Sequence, residues 1–139
     1  MEESVLIKII ESILGFEEAS DALLELKQIN PIKAEELAKD IVLNEKGDIF
    51  FQACAWNVFY GLNRKEALEY ANDNLSKLEE YLFGTILDDV ADDAGIYLEY
   101  PEIQDFVVKV KKHLQGKTLK IEHKGTQEKI DWFIESYGE

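Results

Sequence analysis

Apolar residues recur at three- and four-residue spacing along almost the whole chain, the signature of amphipathic helices. Eight helices are predicted, over roughly 4–14, 16–29, 31–44, 48–61, 63–74, 76–94, 101–115 and 126–137. Glycines 15, 47, 61, 95, 116, 125 and 138 fall at the breaks, where a residue without Cβ ends a helix at no steric cost. Gly84 alone lies inside a predicted helix and is expected to mark close packing. The starts are equally legible. Asn30 precedes Pro31, an N-cap followed by proline in the first turn. Asn63 with Glu66 and Ser76 with Glu79 read as capping boxes. Asp48 and Thr126 read as N-caps, and Pro101 opens the seventh helix.

The faces follow from the same period. Ile103, Phe106, Val107, Val110 and Leu114 form one stripe; Ile130, Phe133, Ile134 and Tyr137 form another. The fourth helix is apolar on nearly every side. Phe50, Phe51, Cys54, Val58 and Phe59 cover one flank, and Ala53, Trp56 and Tyr60 the other. Such a helix belongs in the middle of a layered structure, so Phe50, Cys54, Trp56 and Phe59 are expected to be buried. Ile96–Tyr100 and Thr118–His123 lack the helical period and read as short extended segments, at most one two-stranded element. The fold class is therefore all-α, with about eight helices in antiparallel pairs. The pairs 16–44, 48–74 and 76–115 resemble the two-helix unit of HEAT-type solenoids. An irregular helical bundle is the other arrangement that fits.

Composition narrows the function. The chain has 139 residues, 46% of them hydrophobic, enough for one globular domain spanning 1–139. One cysteine forbids an intrachain disulfide, and two histidines leave a Cys/His zinc site short of ligands. No catalytic signature is present, so neither an enzyme nor a cofactor is expected. Glu2 and Glu3 carry the wrong charge for a signal peptide, and no apolar run approaches the ~20 residues that span a bilayer. A cytoplasmic protein is the simplest expectation. The net charge of −14 excludes nucleic acid and anionic membrane as partners over most of the surface.

The acidity is concentrated. Residues 66–105 hold one basic and twelve acidic side chains, a net −11, whereas residues 106–139 are net +2. Within the middle lies Asp88-Asp89-Val90-Ala91-Asp92-Asp93. With Leu82, Phe83, Ile86, Leu87, Val90 and Ala94 on the core side, Asp88 and Asp92 should face solvent beside Tyr81 and Thr85, flanked by Asp89 and Asp93. Like charges four residues apart repel on a helix. Acids in the last turns also oppose the helix dipole. Charge set against local preference points to a site. Tyr97 and Tyr100, in the following loop, are able to recognise arginine and lysine. The candidate partner-binding surface is Tyr81, Asp88, Asp89, Asp92, Asp93, Tyr97, Glu99, Tyr100 and Glu102. A solvated acidic face and a set of capping aspartates are the structural alternatives.

Other side chains carry less. Cys54 reads as a core thiol, His113 as a surface or capping residue, His123 as a loop residue, and Trp132 as partly exposed. Asp88, Asp89 and Asp92 have the spacing of the DDxxD motif of trans-prenyl synthases, which hold magnesium for a diphosphate. Those enzymes are far longer and need basic residues; between 66 and 105 only Lys77 is basic. A small, acidic, helix-only chain of this kind resembles the helical bacterial immunity proteins of contact-dependent and polymorphic toxin systems, some of them HEAT-like. The resemblance rests on size, charge and architecture, so it carries over no residue by position. It implies an inhibitor that neutralises a basic, nuclease-type toxin domain through an acidic surface. The alternative is an acidic helical-repeat adaptor or scaffold with another protein partner.

Overall fold

A computed structural model describes residues 2–12, 15–115 and 124–138. Among them the chain is all-α: α1 Glu3–Ser12, α2 Phe16–Ile29, α3 Pro31–Leu43, α4 Ile49–Leu62, α5 Arg64–Asp73, α6 Glu80–Asp92, α7 Pro101–Gln115 and α8 Lys124–Ser136. Two 3-10 segments, Leu75–Lys77 and Ala94–Glu99, flank α6. No strand occurs among the described residues. None of the described helices is long and apolar enough to cross a membrane. The chain divides into two compact units, Met1–Ala67 and Leu68–Glu139, with the division falling inside α5.

In the first unit α1 packs on α2, α2 on α3 and α4, and α3 on α4. Its corners are set by asparagines. The Asn30 side chain accepts from the Lys33 amide at 3.1 Å and donates to Glu3 on α1 at 2.6 Å. Asn63 accepts from the Glu66 amide at 3.3 Å, as a capping residue should, and its amide group reaches Glu35 on α3 at 3.2 Å. Lys39 on α3 pairs with Glu66 at 2.5 Å. One polar residue thus both starts a helix and fixes its neighbour. Asp48 caps α4 through the Phe51 amide at 2.8 Å.

The buried residues of α4 are Phe51, Ala53, Ala55, Trp56, Val58, Phe59 and Tyr60. Trp56 stacks on Tyr60 with ring centroids 4.8 Å apart. Trp56 and Phe59 are buried as expected, but Phe50 is 62% exposed and Cys54 only half-buried. Phe50, Cys54, Asn57 and Gly61 are spaced by four, three and four residues, so they form one stripe on the helix. Phe50 and Asn57 on that stripe are exposed, while Cys54 bonds to Ser20 of α2 and Gly61 lies beside Lys27, so the stripe runs along the edge of the α2 contact.

In the second unit the principal partner of α6 is α8, rather than the sequence-adjacent α7. Gly84 lies at this contact. A Cβ placed there would meet Thr126 Cγ2 and Lys129 Cδ of α8, each at 3.4 Å. Thr126 is consequently buried inside α8, which starts at Lys124, and is not the N-cap that its position suggested. At the other end, the Tyr137 hydroxyl donates to the Val90 carbonyl. These contacts make α6 and α8 run in the same direction. The α7 stripe of Ile103, Phe106, Val107 and Val110 is buried, and His113 meets Phe83 edge-on with ring centroids 6.0 Å apart. On α8, Ile130 and Phe133 are buried, whereas Ile134 is exposed, as is Trp132.

Two local expectations fail. The Ser76/Glu79 capping box is replaced by the 3-10 turn Leu75–Lys77, and Glu79 itself caps α6 through the Tyr81 amide at 3.0 Å. Ile96–Tyr100 is not extended: residues 94–99 continue from α6 as a 3-10 helix, with Ile96 N–H bonded to Asp93 O at 3.0 Å. Its proposed pairing partner, Thr118–His123, lies outside the described residues.

The Gly84 contact has a testable sign. At 3.4 Å an added methyl would sit in ordinary van der Waals contact with Thr126 and Lys129, while alanine removes glycine's entropic penalty in a helix. Gly84→Ala is expected to stabilise the protein by about 0.5–1 kcal/mol. Gly84→Leu should destabilise it by overpacking, by about 1–3 kcal/mol. Urea titrations of both variants check this.

Candidate functional site: the acidic end of α6

The last two turns of α6 and the segment after it carry the site. Asp88, Asp89 and Asp93 are half-buried and Asp92 is exposed. The expectation that Asp88 faces solvent beside Thr85 therefore needs correction. Thr85 is buried, and its hydroxyl donates to the Tyr81 carbonyl at 3.1 Å, so this side of α6 is turned partly inward.

Crowding has an electrostatic consequence. Burial, reinforced by the charges of Asp88, Asp92 and Asp93, pushes the Asp89 carboxyl up to about 7, with Lys129 on α8 pulling the other way. Burial, with Asp88 and Asp93, also raises Asp92 above the ordinary carboxylate range. The backbone adds to this. Because α6 and α8 run in the same direction, both carbonyl ends, each the negative pole of a helix dipole, lie at the aspartates. Lys111 on α7 answers the end of α8, donating to the Tyr137 and Gly138 carbonyls at 3.0 and 3.1 Å.

Capping does not account for the arrangement. Asp88, Asp89 and Asp92 lie within α6. Asp93 opens the 3-10 segment Ala94–Glu99 but makes no side-chain cap hydrogen bond to it. Asn30, Asp48, Asn63 and Glu79 do make such bonds elsewhere.

The other candidates divide into two groups. Tyr81 sits at the opposite end of α6, about 16 Å along the axis from Asp92, where Lys129 Nζ lies 5.4 Å from its ring centre. It does not belong with the aspartates. Tyr97 is half-buried, its ring 5.2 Å from Tyr137, and serves as packing rather than as a projecting recognition group. Glu99 is exposed, Tyr100 is partly exposed, and Glu102 is half-buried in the first turn of α7. Tyr100 also starts α7, its carbonyl accepting from the Ile103 amide at 3.0 Å.

Three residues were missed. Lys129 on α8, over the Tyr81 ring, also acts on Asp89, although nothing in the sequence pairs them. Tyr137 reads as a plain member of the α8 stripe. Its hydroxyl instead ties α8 to Val90, and burial beside Asp93 and Tyr97 keeps it protonated far above the ordinary range. Leu98, 83% exposed, stands between Tyr97 and Glu99. Its only sequence signal is an aliphatic side chain outside any helical stripe.

Chemically, the site is a concentration of negative charge that attracts cations. Among the described residues no group of three or more histidine, cysteine, aspartate or glutamate side chains is arranged to hold a metal ion. Cys54 is half-buried, and burial pushes its thiol above the ordinary range, which disfavours the nucleophilic thiolate. His123 lies outside the described residues. Fold and site together define an all-α chain with a concentrated acidic surface at the joined ends of two helices. Comparison with protein-family models, curated proteins and solved structures finds no match in any of the three.

Proposed function

We propose that this chain is a non-enzymatic binding protein that engages a basic protein partner through the acidic end of α6 and the turn that follows. The observation that carries this reading is the crowding of four carboxylates, Asp88, Asp89, Asp92 and Asp93, into the last turns of α6 and the residue after it. Their charge opposes the dipole of α6, and burial together with their mutual repulsion raises the proton affinities of Asp89 and Asp92. A partner's lysines and arginines would relieve that repulsion, and the local field would speed encounter. Within this class, a cytoplasmic immunity protein that neutralises a basic, nuclease-type toxin domain fits the size, charge and helical architecture.

A second reading is an adaptor or scaffold that docks through the first unit. It is favoured by exposed aliphatic side chains at the α2–α3 corner, where Ile32 is 82% and Ile29 50% exposed. A gene directly downstream of a large secreted toxin gene would favour the immunity reading.

The biochemical test is capture from the source cell at low and high salt, followed by association rates of the captured protein with wild type and with Asp88→Asn/Asp92→Asn. The paired variant is expected to associate several-fold more slowly at low salt, with the difference shrinking at high salt. Its melting temperature should be unchanged or raised, because like-charge repulsion is removed. Equal association rates with a lowered melting temperature would make these aspartates structural.

A further inference from the structure

An isolated exposed leucine is ordinary on a protein surface, but the setting of Leu98 is not. It is 83% exposed on the 3-10 segment Ala94–Glu99. Its backbone is held from both sides. Gln104 Nε2 on α7 donates to the Tyr97 carbonyl at 3.2 Å and to the Leu98 carbonyl at 3.1 Å, so both N–H bonds of one carboxamide clamp this turn. On the preceding residue, the Tyr97 ring packs against Tyr137, whose hydroxyl is bonded to Val90 between the aspartate pairs. An apolar side chain is thereby presented in a fixed position immediately beyond the carboxylates of α6.

We propose that Leu98 is the apolar anchor of the acidic surface, and that the partner is a basic protein presenting an apolar socket ringed by lysine or arginine. This rests on the reading of the acidic end as a partner-binding surface and deepens it. The carboxylates supply long-range attraction and orientation, and exposed ion pairs add little affinity of their own. Burying a leucine side chain supplies the short-range term that slows dissociation. Pre-ordering of the turn by Gln104 removes part of the entropy loss on docking. The negative field around Leu98 selects a socket with a cationic rim over a neutral or acidic one.

Two synthetic helical probes of equal charge test this: an amphipathic lysine–leucine peptide and its counterpart with serine in place of every leucine. Binding is measured by calorimetry or fluorescence anisotropy at low salt. Wild type is expected to bind the leucine peptide about 10–100-fold more tightly than the serine peptide, the factor that one buried leucine supplies. Leu98→Ser should remove most of that preference, leave serine-peptide binding unchanged and melt like wild type, since the side chain is exposed. Val108→Ser, an exposed position on α7, should keep the preference. Asp88→Asn/Asp92→Asn should weaken both peptides alike. Equal binding of the two peptides, or a preference that survives Leu98→Ser, overturns the anchor and leaves the acidic surface standing. Failure of both peptides to bind wild type overturns the acidic surface and the anchor with it.

Discussion

Phe59→Ala is expected to destabilise the protein by about 3–5 kcal/mol, among the largest losses a single side chain can cause. Phe59 is buried on the inner side of α4, where the helix meets α2 and α3. Its neighbours along the helix, Trp56 and Tyr60, are large stacked rings whose freedom to collapse into a void is small. The loss therefore combines the transfer of an aromatic ring to water with the cavity left behind. Phe50→Ala, one residue from the buried Phe51, should lose less than about 1 kcal/mol because Phe50 is exposed. Denaturant unfolding of the two variants measures the contrast. Similar losses at both positions would mean that α4 is enclosed on every side.

Asp89→Asn is expected to raise stability at pH 7.5, and wild type is expected to grow more stable as the pH falls from 7 toward 5. The native state holds the Asp89 proton with a midpoint of about 7, against 3.8 for the ordinary carboxyl. Between those values the folded chain binds more protons than the unfolded one, so stability falls as pH rises through that window. The penalty is fully imposed above pH 7 and absent below about pH 4. Discounted for partial exposure and for sharing among neighbouring carboxylates, it amounts to about 1–3 kcal/mol. Asp92, also raised, adds in the same direction. Asp40 and Glu66 act oppositely. Lys46 holds Asp40 below its ordinary value of 3.8, and Lys39 and Asn63 hold Glu66 below 4.5. Their contribution is present above those values and is lost only as pH falls below them. Stability should therefore peak near pH 4.5–5, and Asp89→Asn should flatten the slope above it. Melting curves from pH 4 to 8 decide the matter; stability that rises from pH 5 to 7 in wild type would contradict the account.

The helices were legible because period and punctuation agreed, and Asn30, Asp48 and Asn63 fixed three starts through bonds that the structure contains. The errors have physical sources. The sides of α4 were ambiguous because the exposed Phe50 is as apolar as its buried neighbour Phe51, and because Cys54 is half-buried at the edge of the α2 contact. Thr126 looked like a cap because its hydroxyl suits one, whereas the structure buries it against Gly84, a long-range contact that no local pattern encodes. The acidic segment was visible as composition. Its geometry was not, because the partial burial of Asp88 and Asp89 depends on which elements pack beside α6. Tyr137 joins the site, and Lys129 reaches Asp89, because α8 packs along α6.

The most direct test of the central claim is the titration of the Asp89 carboxyl, followed by carbon-13 NMR, in the free protein and in complex with the captured partner. A cationic partner that docks on the acidic end of α6 must lower the proton affinity of that carboxyl, because binding and protonation compete for the same negative charge. The account predicts a midpoint near 7 in the free protein and one well below it in the complex. A midpoint that is the same in both states would contradict it and move the binding face away from α6.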